Sequence, residues 1–194
     1  MGVEQHDVAV QRLQPRQLGL ERFVIGPPVA LQAPLDLVGR RRLTVAIERI
    51  AGEEARRAEL GVVRARHGYA ILLDAHSIRS EVPRFFAGRL PDLNLGTVDG
   101  ASCAPSLRAA LATVLASQST YSQVVDGRFK GGHITRHYGR PDAGRHAVQL
   151  EMTWRCYMRE EPPYAVDPER TAALRPTLRA LIRTMRDWKP DAAR

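Results

Sequence analysis

The stretch YAILLDAHS, residues 69–77, decides the predicted fold. Its first five residues form an apolar run that ends at Asp74, as is typical of a strand in a sheet covered on both faces. Catalytic groups in α/β sheets gather beyond the carboxyl ends of strands. The sequence therefore predicts a buried strand over 69–73, followed by a turn in which His76 binds a metal or orients a substrate. A loop histidine without a function is the alternative.

Further strands and helices follow at the spacing of an α/β domain. Helices are predicted over 105–116, with proline in the first turn, and from Pro168 onward, with Asp167 as the N-cap. Short strands are expected at 122–125 and 147–150. This alternation favours a single α/β domain with a mixed, largely parallel sheet flanked by helices.

The segment that precedes residue 66 differs in character from the rest of the chain. It contains a proline-rich stretch at 26–34 and weak apolar periodicity elsewhere, and His6 is its one histidine before residue 66. A stretch rich in Ala, Glu and Arg at 46–63 favours a helix that is exposed on one side. We expect residues 1–65 to pack poorly and residues 66–194 to form the functional part.

Composition and charge disfavour several classes of function. The net charge of +8 is compatible with nucleic-acid binding, but its arginines are spread along the chain, which disfavours that function. No apolar run approaches the ~18 residues that a membrane span requires. Cys103 and Cys156 form no CxxC pair, and the first residues lack the features of a secretory signal. These observations predict a cytoplasmic protein that does not bind membranes.

The stretch RFKGGHITRHYG, residues 128–139, combines glycines with basic side chains. Glycines let a backbone approach a ligand closely, and the guanidinium groups of Arg128 and Arg136 can each grip a carboxylate. The stretch therefore predicts a loop that holds an anion, with a solvated basic loop as the alternative. His133 and His137 are four residues apart, but the flanking glycines argue against a regular helix and hence against a zinc pair.

Glu151 directly follows the apolar residues 147–150. A carboxylate at the end of a core strand costs free energy unless it is paired or functional. Glu151 is therefore a candidate general base acting on a metal-bound water. A salt bridge to Arg155 is the alternative.

Together these stretches resemble the N-formylglutamate amidohydrolase family, to which the N-formylglutamate deformylases belong. The resemblance covers about residues 66–188. The matching motifs, in chain order, are DAHSIRS (74–80), VPRFF (82–86), GRLPDLNLGT (88–97), DGAS (99–102), GRFKGG (127–132), ITRHYG (134–139) and QLEM (149–152).

The resemblance implies a fold similar to the zinc carboxypeptidases. It also implies hydrolysis of N-formyl-L-glutamate to formate and L-glutamate, the last step of one route of histidine breakdown. In that scheme His76 is a zinc ligand, and Glu151 deprotonates the zinc-bound water and passes its proton to the leaving amine. Arginines would hold the substrate carboxylates, the candidates being Arg128, Arg136, Arg79 and Arg84.

The chain departs from the family before residue 66. Family members carry an earlier Pro-His-Xaa-Gly segment that supplies another zinc histidine, then an acidic ligand and an Asp-Leu-Asn-Arg segment, and none of these occurs between residues 1 and 66. His133 also stands where the family usually has a tyrosine. Catalytic zinc usually has three protein ligands. We therefore expect the N-terminal part of the fold to be missing or replaced, and zinc to bind weakly.

Three functions stay open at this point. The first is an N-formylglutamate deformylase-like hydrolase, and the second is an inactive remnant of that family. The third, less favoured, is a basic nucleic-acid-binding protein. Zinc content separates the first two, and a steep salt dependence of DNA binding would favour the third.

Overall fold

The computed structural model describes residues 53–191, which form a four-stranded mixed sheet with helices on both faces. The elements in chain order are α1 (Glu53–His67), β1 (Ala70–Ile78), β2 (Leu93–Gly96), α2 (Pro105–Ala116), β3 (Gln123–Val125), α3 (His133–Tyr138), β4 (Arg145–Thr153) and α4 (Pro168–Asp187). The predicted α/β class is confirmed. Within this part of the chain no helix combines the length and apolarity that a membrane span requires.

The strands lie in the order β1-β4-β2-β3. Strand β1 pairs with β4 in parallel, and β2 pairs with β3 in parallel. The two parallel pairs meet where β2 runs antiparallel to β4. The prediction of a mixed, largely parallel sheet is therefore confirmed.

The two faces of the sheet carry different residues, because side chains alternate along each strand. One face is apolar: its strand residues, such as Leu73, Leu93 and Leu150, pack in a single core with α2 and α4. Helices α1 and α3 cover the start of β1 on the other face, around Ala70 and Ala147. Polar side chains, among them His76, Asn94 and Glu151, occupy that face beyond the residues that α1 and α3 cover.

Both long helices form where their local signals predict them. Helix α2 has the predicted bounds, and its buried residues are Leu107, Leu111 and Leu115. The Asp167 side chain accepts hydrogen bonds from the amides of Glu169 and Arg170, each at 3.1 Å, and so caps α4. Pro176 lies inside α4, yet the helix continues to Asp187.

Three local predictions are wrong. Strand β1 does not end before Asp74 but continues to Ile78, because its backbone pairs with β4 along all nine residues. The expected turn around His76 is therefore part of a strand. Glu151 likewise lies inside β4, which ends two residues later at Thr153, rather than at a strand end. Residues 133–138 form a short helix despite the glycines beside them.

The prediction of poor packing before residue 66 is wrong for the residues that the structure describes. Leu60 and Val63 of α1 are buried against the sheet. The Arg56 guanidinium lies 5.3 Å from the ring centroid of Tyr138 in α3. Helix α1 is thus part of the folded domain, whereas residues 1–52 lie outside the described part.

Candidate active site

Three polar residues stand side by side across the polar face of the sheet. Glu151 on β4 is in register with His76 on β1 and with Asn94 on β2. Residues in register on neighbouring strands point to the same face. We call His76, Glu151 and Asn94 the polar row. His76 and Glu151, which both lie within strands, therefore stand next to each other on adjacent strands.

A carboxylate orients the imidazole of His76. The Nε2 atom of His76 lies 2.8 Å from Oδ1 of Asp74, two residues earlier on the same face. The His76 side chain is 48% exposed, whereas that of Asp74 is 11% exposed. A half-exposed imidazole held by a more buried carboxylate matches the usual arrangement around metal-binding histidines.

Glu151 has the properties of a general base. It is 8% exposed, and burial raises the pKa of its carboxyl to about 7, against the lowering effects of His76 and of a hydrogen bond from Gln149. A pKa near the working pH is what general-base catalysis requires. The alternative salt bridge does not form, because Arg155 bonds to Asp92 at 3.1 Å.

A glycine-rich segment, residues 127–132, lies against the sheet beside the polar row, and we call it the glycine loop. Asn94 Nδ2 donates to the carbonyl oxygen of Phe129 at 2.7 Å. The amide of Gly132 donates to Oε1 of Gln149, also at 2.7 Å. Two side chains of the sheet therefore fix the glycine loop next to Glu151.

The close approach of the glycine loop to the sheet depends on Gly96. A Cβ atom at Gly96 would lie 2.7 Å from the carbonyl oxygen of Phe129 and 2.8 Å from the nitrogen of Gly131. Both of these contacts are with backbone atoms, which can move away only if the loop moves. Position 96 therefore tolerates no side chain while the loop stays in place.

We expect Gly96→Ala to lower the free energy of unfolding by about 1–3 kcal/mol, as overpacking does. The matched control is Gly61→Ala in α1, where a Cβ atom meets nothing within 4 Å. That change should be neutral or stabilise by about 0.5–1 kcal/mol, because alanine favours a helix. Denaturant unfolding of both variants is the measurement, and equal effects at the two positions would contradict the described loop.

Two of the candidate arginines lie at the glycine loop: Arg128 belongs to it, and Arg136 follows it in α3. The guanidinium of Arg128 lies 4.8 Å from the ring centroid of Phe86. No hydrogen bond or ion pair engages that guanidinium anywhere in residues 53–191, so it keeps its capacity to bind an anion. Arg136 donates from Nε to the carbonyl oxygen of Gly131 at 3.0 Å.

The other two predicted arginines lie in the segment that follows β1. Arg79 donates to the carbonyl oxygen of Glu160 at 3.3 Å, and Arg84 lies over the ring of the exposed Phe85. Neither forms a hydrogen bond or ion pair with the polar row in the part of the chain that is described. Their assignment as substrate ligands stays a prediction.

His133 and His137 share one face of α3, with ring centroids 5.3 Å apart. Helix α1 engages this pair, since Nε2 of His137 lies 3.1 Å from Oε1 of Glu53 and 2.7 Å from Nη2 of Arg57.

The described residues do not fit a complete catalytic zinc site. Between residues 53 and 191, no three His, Cys, Asp or Glu side chains are grouped so that they could hold a metal ion. His76 supplies one candidate ligand, and Asp74 already bonds to it. Catalytic zinc usually has three protein ligands.

Sequence reasoning missed Asn94 and Gln149, which hold the glycine loop. A signal for Gln149 was present, because a residue two positions before Glu151 on a strand shares its face. Asn94 carried no such signal, since its strand was not predicted. Asp92, also missed, is structural: its carboxylate bonds to Ser122 and Arg155 and ties three segments together.

Comparison with known proteins agrees with this geometry. The family model for N-formylglutamate amidohydrolase matches residues 53–158. N-formylglutamate deformylase of Pseudomonas aeruginosa is 53% identical over 130 residues, which cover 67% of this chain and 49% of that protein. The enzyme of that name from Pseudomonas putida is 48% identical over 132 residues, 68% of this chain and 49% of that protein.

A solved structure shows the same fold. The crystal structure of N-formylglutamate amidohydrolase from Ralstonia eutropha JMP134 matches with a TM-score of 0.58 at 23% identity, over 67% of this chain and 48% of that one. The chain thus spans about half the length of the curated relatives it matches. With its motifs, its fold and more than half of its residues matched, the chain belongs to the N-formylglutamate amidohydrolase family.

Proposed function

We propose that this chain carries the general-base and substrate-gripping part of an N-formylglutamate deformylase, which cleaves N-formyl-L-glutamate to formate and L-glutamate. One observation carries the proposal: the buried carboxyl of Glu151, with its pKa raised to about 7, stands in register with His76. The names of the two Pseudomonas relatives support the substrate.

The proposed reaction needs one base that also acts as an acid. Glu151 takes a proton from the water that attacks the formyl carbon, and a carbon–oxygen bond forms. Glu151 then gives this proton to the leaving nitrogen as the carbon–nitrogen bond breaks, releasing formate and the amine of L-glutamate. A carboxyl with a pKa of about 7 can perform both transfers near neutral pH.

Zinc is the proposed cofactor, and His76 is its proposed ligand in this chain. In related chemistry zinc polarises a carbonyl oxygen and lowers the pKa of a bound water. Since the described residues offer no complete ligand set, the second candidate function is an inactive remnant of the family. In that alternative the chain keeps the second half of the fold and binds little.

The substrate carries two carboxylates, and the arginines at the glycine loop are the groups proposed to hold them. The guanidinium of Arg128, which forms no hydrogen bond or ion pair with the described residues, lies over the ring of Phe86. Arg136 is fixed to the same loop through Gly131. Two guanidinium groups at this place favour a dicarboxylate over a substrate with one carboxylate.

Binding of N-formyl-L-glutamate to the 194-residue chain tests the substrate assignment. We expect the ligand to shift the amide NMR signals of the glycine loop, and Arg128→Ala to weaken binding about ten- to hundredfold, because bonds to charged groups are worth ~1.5–3 kcal/mol. The matched control is Arg183→Ala, an exposed arginine of α4, which should bind normally. Equal weakening by both variants, or no shifts in the loop, would count against the proposal.

The proposed function also implies a cellular compartment and a metabolic role. The cytoplasm is the proposed compartment, because Cys103 and Cys156 are both buried free thiols, as a reducing environment allows. The reaction would be the last step of one route of histidine breakdown. The described residues and the comparisons give no indication of nucleic-acid binding.

A further inference from the structure

Gln149 connects the two halves of the candidate site. It lies on β4, two residues before Glu151, and is 5% exposed. Its Oε1 accepts a hydrogen bond from the amide of Gly132 at 2.7 Å, and its Nε2 donates to Oε2 of Glu151 at 3.2 Å. One side chain therefore touches both the base and the glycine loop.

The orientation of this amide follows from its partners. The backbone N–H of Gly132 can only donate, so the atom of Gln149 that faces it must be the oxygen. The NH2 group then faces Glu151, whose ionised carboxylate can only accept. Both hydrogen bonds form only with this orientation. In the reversed orientation the NH2 group of Gln149 would face the N–H of Gly132, and its oxygen would face the carboxylate of Glu151.

We propose that Gln149 is a positioning residue, which holds the carboxylate of Glu151 in place and ties it to the glycine loop at Gly132. The loop carries Arg128, so the anion-binding side and the base would keep a fixed separation through a single side chain. The inference rests on the proposed function for the identity of the reaction, whereas the two hydrogen bonds are independent of it.

Two substitutions separate the two bonds. Gln149→Leu removes both, because leucine neither donates nor accepts. Gln149→Glu keeps an acceptor for Gly132 but replaces the donor that faces Glu151 with a like charge. The matched control is Gln118→Leu, since among residues 53–191 Gln118 bonds only to backbone atoms of Leu115 and Tyr121.

The measurement is NMR of the whole chain, with amide exchange at Gly132 and the side-chain rotamer of Glu151 as readouts. In Gln149→Leu we expect Gly132 to exchange about tenfold faster, as the loss of one hydrogen bond allows. In Gln149→Glu its exchange should stay near that of the wild type. The side chain of Glu151 should occupy one rotamer in the wild type and in Gln118→Leu, and several in both Gln149 variants.

A single unchanged rotamer of Glu151 in Gln149→Glu would overturn the proposal, because Gln149 would then be only an anchor of the loop. Unchanged exchange at Gly132 in Gln149→Leu would overturn it as well. Neither readout involves turnover. A failure of the chain to bind N-formyl-L-glutamate would therefore count against the proposed function alone.

Discussion

Glu151→Gln should lower kcat for formate release by about 10²- to 10⁴-fold, the usual contribution of a general base. The change is best made in a chimera in which the earlier segments of a family member, including Pro-His-Xaa-Gly, precede residue 53, so that a complete ligand set is present. Glutamine keeps the size of the side chain but cannot take a proton. Formate release at saturating N-formyl-L-glutamate is the measurement.

The pH profile of the same chimera adds a second readout. Glu151 must be ionised to act as a base, so kcat/KM should rise as pH increases through about 7, the value to which burial raises its pKa. This rise should be absent from the residual activity of Glu151→Gln. The control is Glu161→Gln at an exposed position, which should keep both the rate and the profile. A loss of less than about tenfold at Glu151 would assign the base to another group.

Predictions from the sequence succeeded where the structural signal is local. Helix α4 begins where Asp167 and Pro168 predict it, because an N-cap and a proline act on the first turn alone. Helix α2 follows from an apolar stripe within twelve residues. In both helices the residues that decide the structure are close together in the chain.

Predictions failed where strand pairing decides. The polar residues Asp74 and His76 interrupt the apolar run, so the second half of β1 was not predicted. It forms because β4 supplies its hydrogen bonds. Strand β2 has only four residues and includes Asn94 and Gly96, which are poor strand formers, so its pairing with β4 and β3 determines it. Pairing between segments that are far apart in the chain does not change the pattern of apolar and polar residues within either segment.

The site shows the same division. His76, Glu151 and Arg128 could be proposed as site residues from the kinds of residues present and from the family resemblance. Asn94 and Gln149 were missed, because their partners in the glycine loop are 35 and 17 residues away. Their roles depend on which backbone atoms the fold brings close to their side chains. The residue types alone do not predict those contacts.

We propose that the described part of this chain contains the base and the anion-binding side of the site but too few zinc ligands for turnover. In the described part of the chain His76 is the candidate ligand, and no group of three suitable side chains occurs there. A water bound to zinc in favourable sites has a pKa of ~7, against ~15.7 in bulk. At about 1.4 kcal/mol per unit, that difference is on the order of 12 kcal/mol of driving force for deprotonation.

The most direct test is formate release by the 194-residue chain as it stands, purified and loaded with zinc. We predict that the chain retains well below the ~1 zinc per chain of a complete site after dialysis, and that it hydrolyses N-formyl-L-glutamate very slowly or not at all. His76→Ala should then change the rate little. Turnover of about 1 per second or more, within the ordinary range of enzymes, that disappears in His76→Ala would contradict the account.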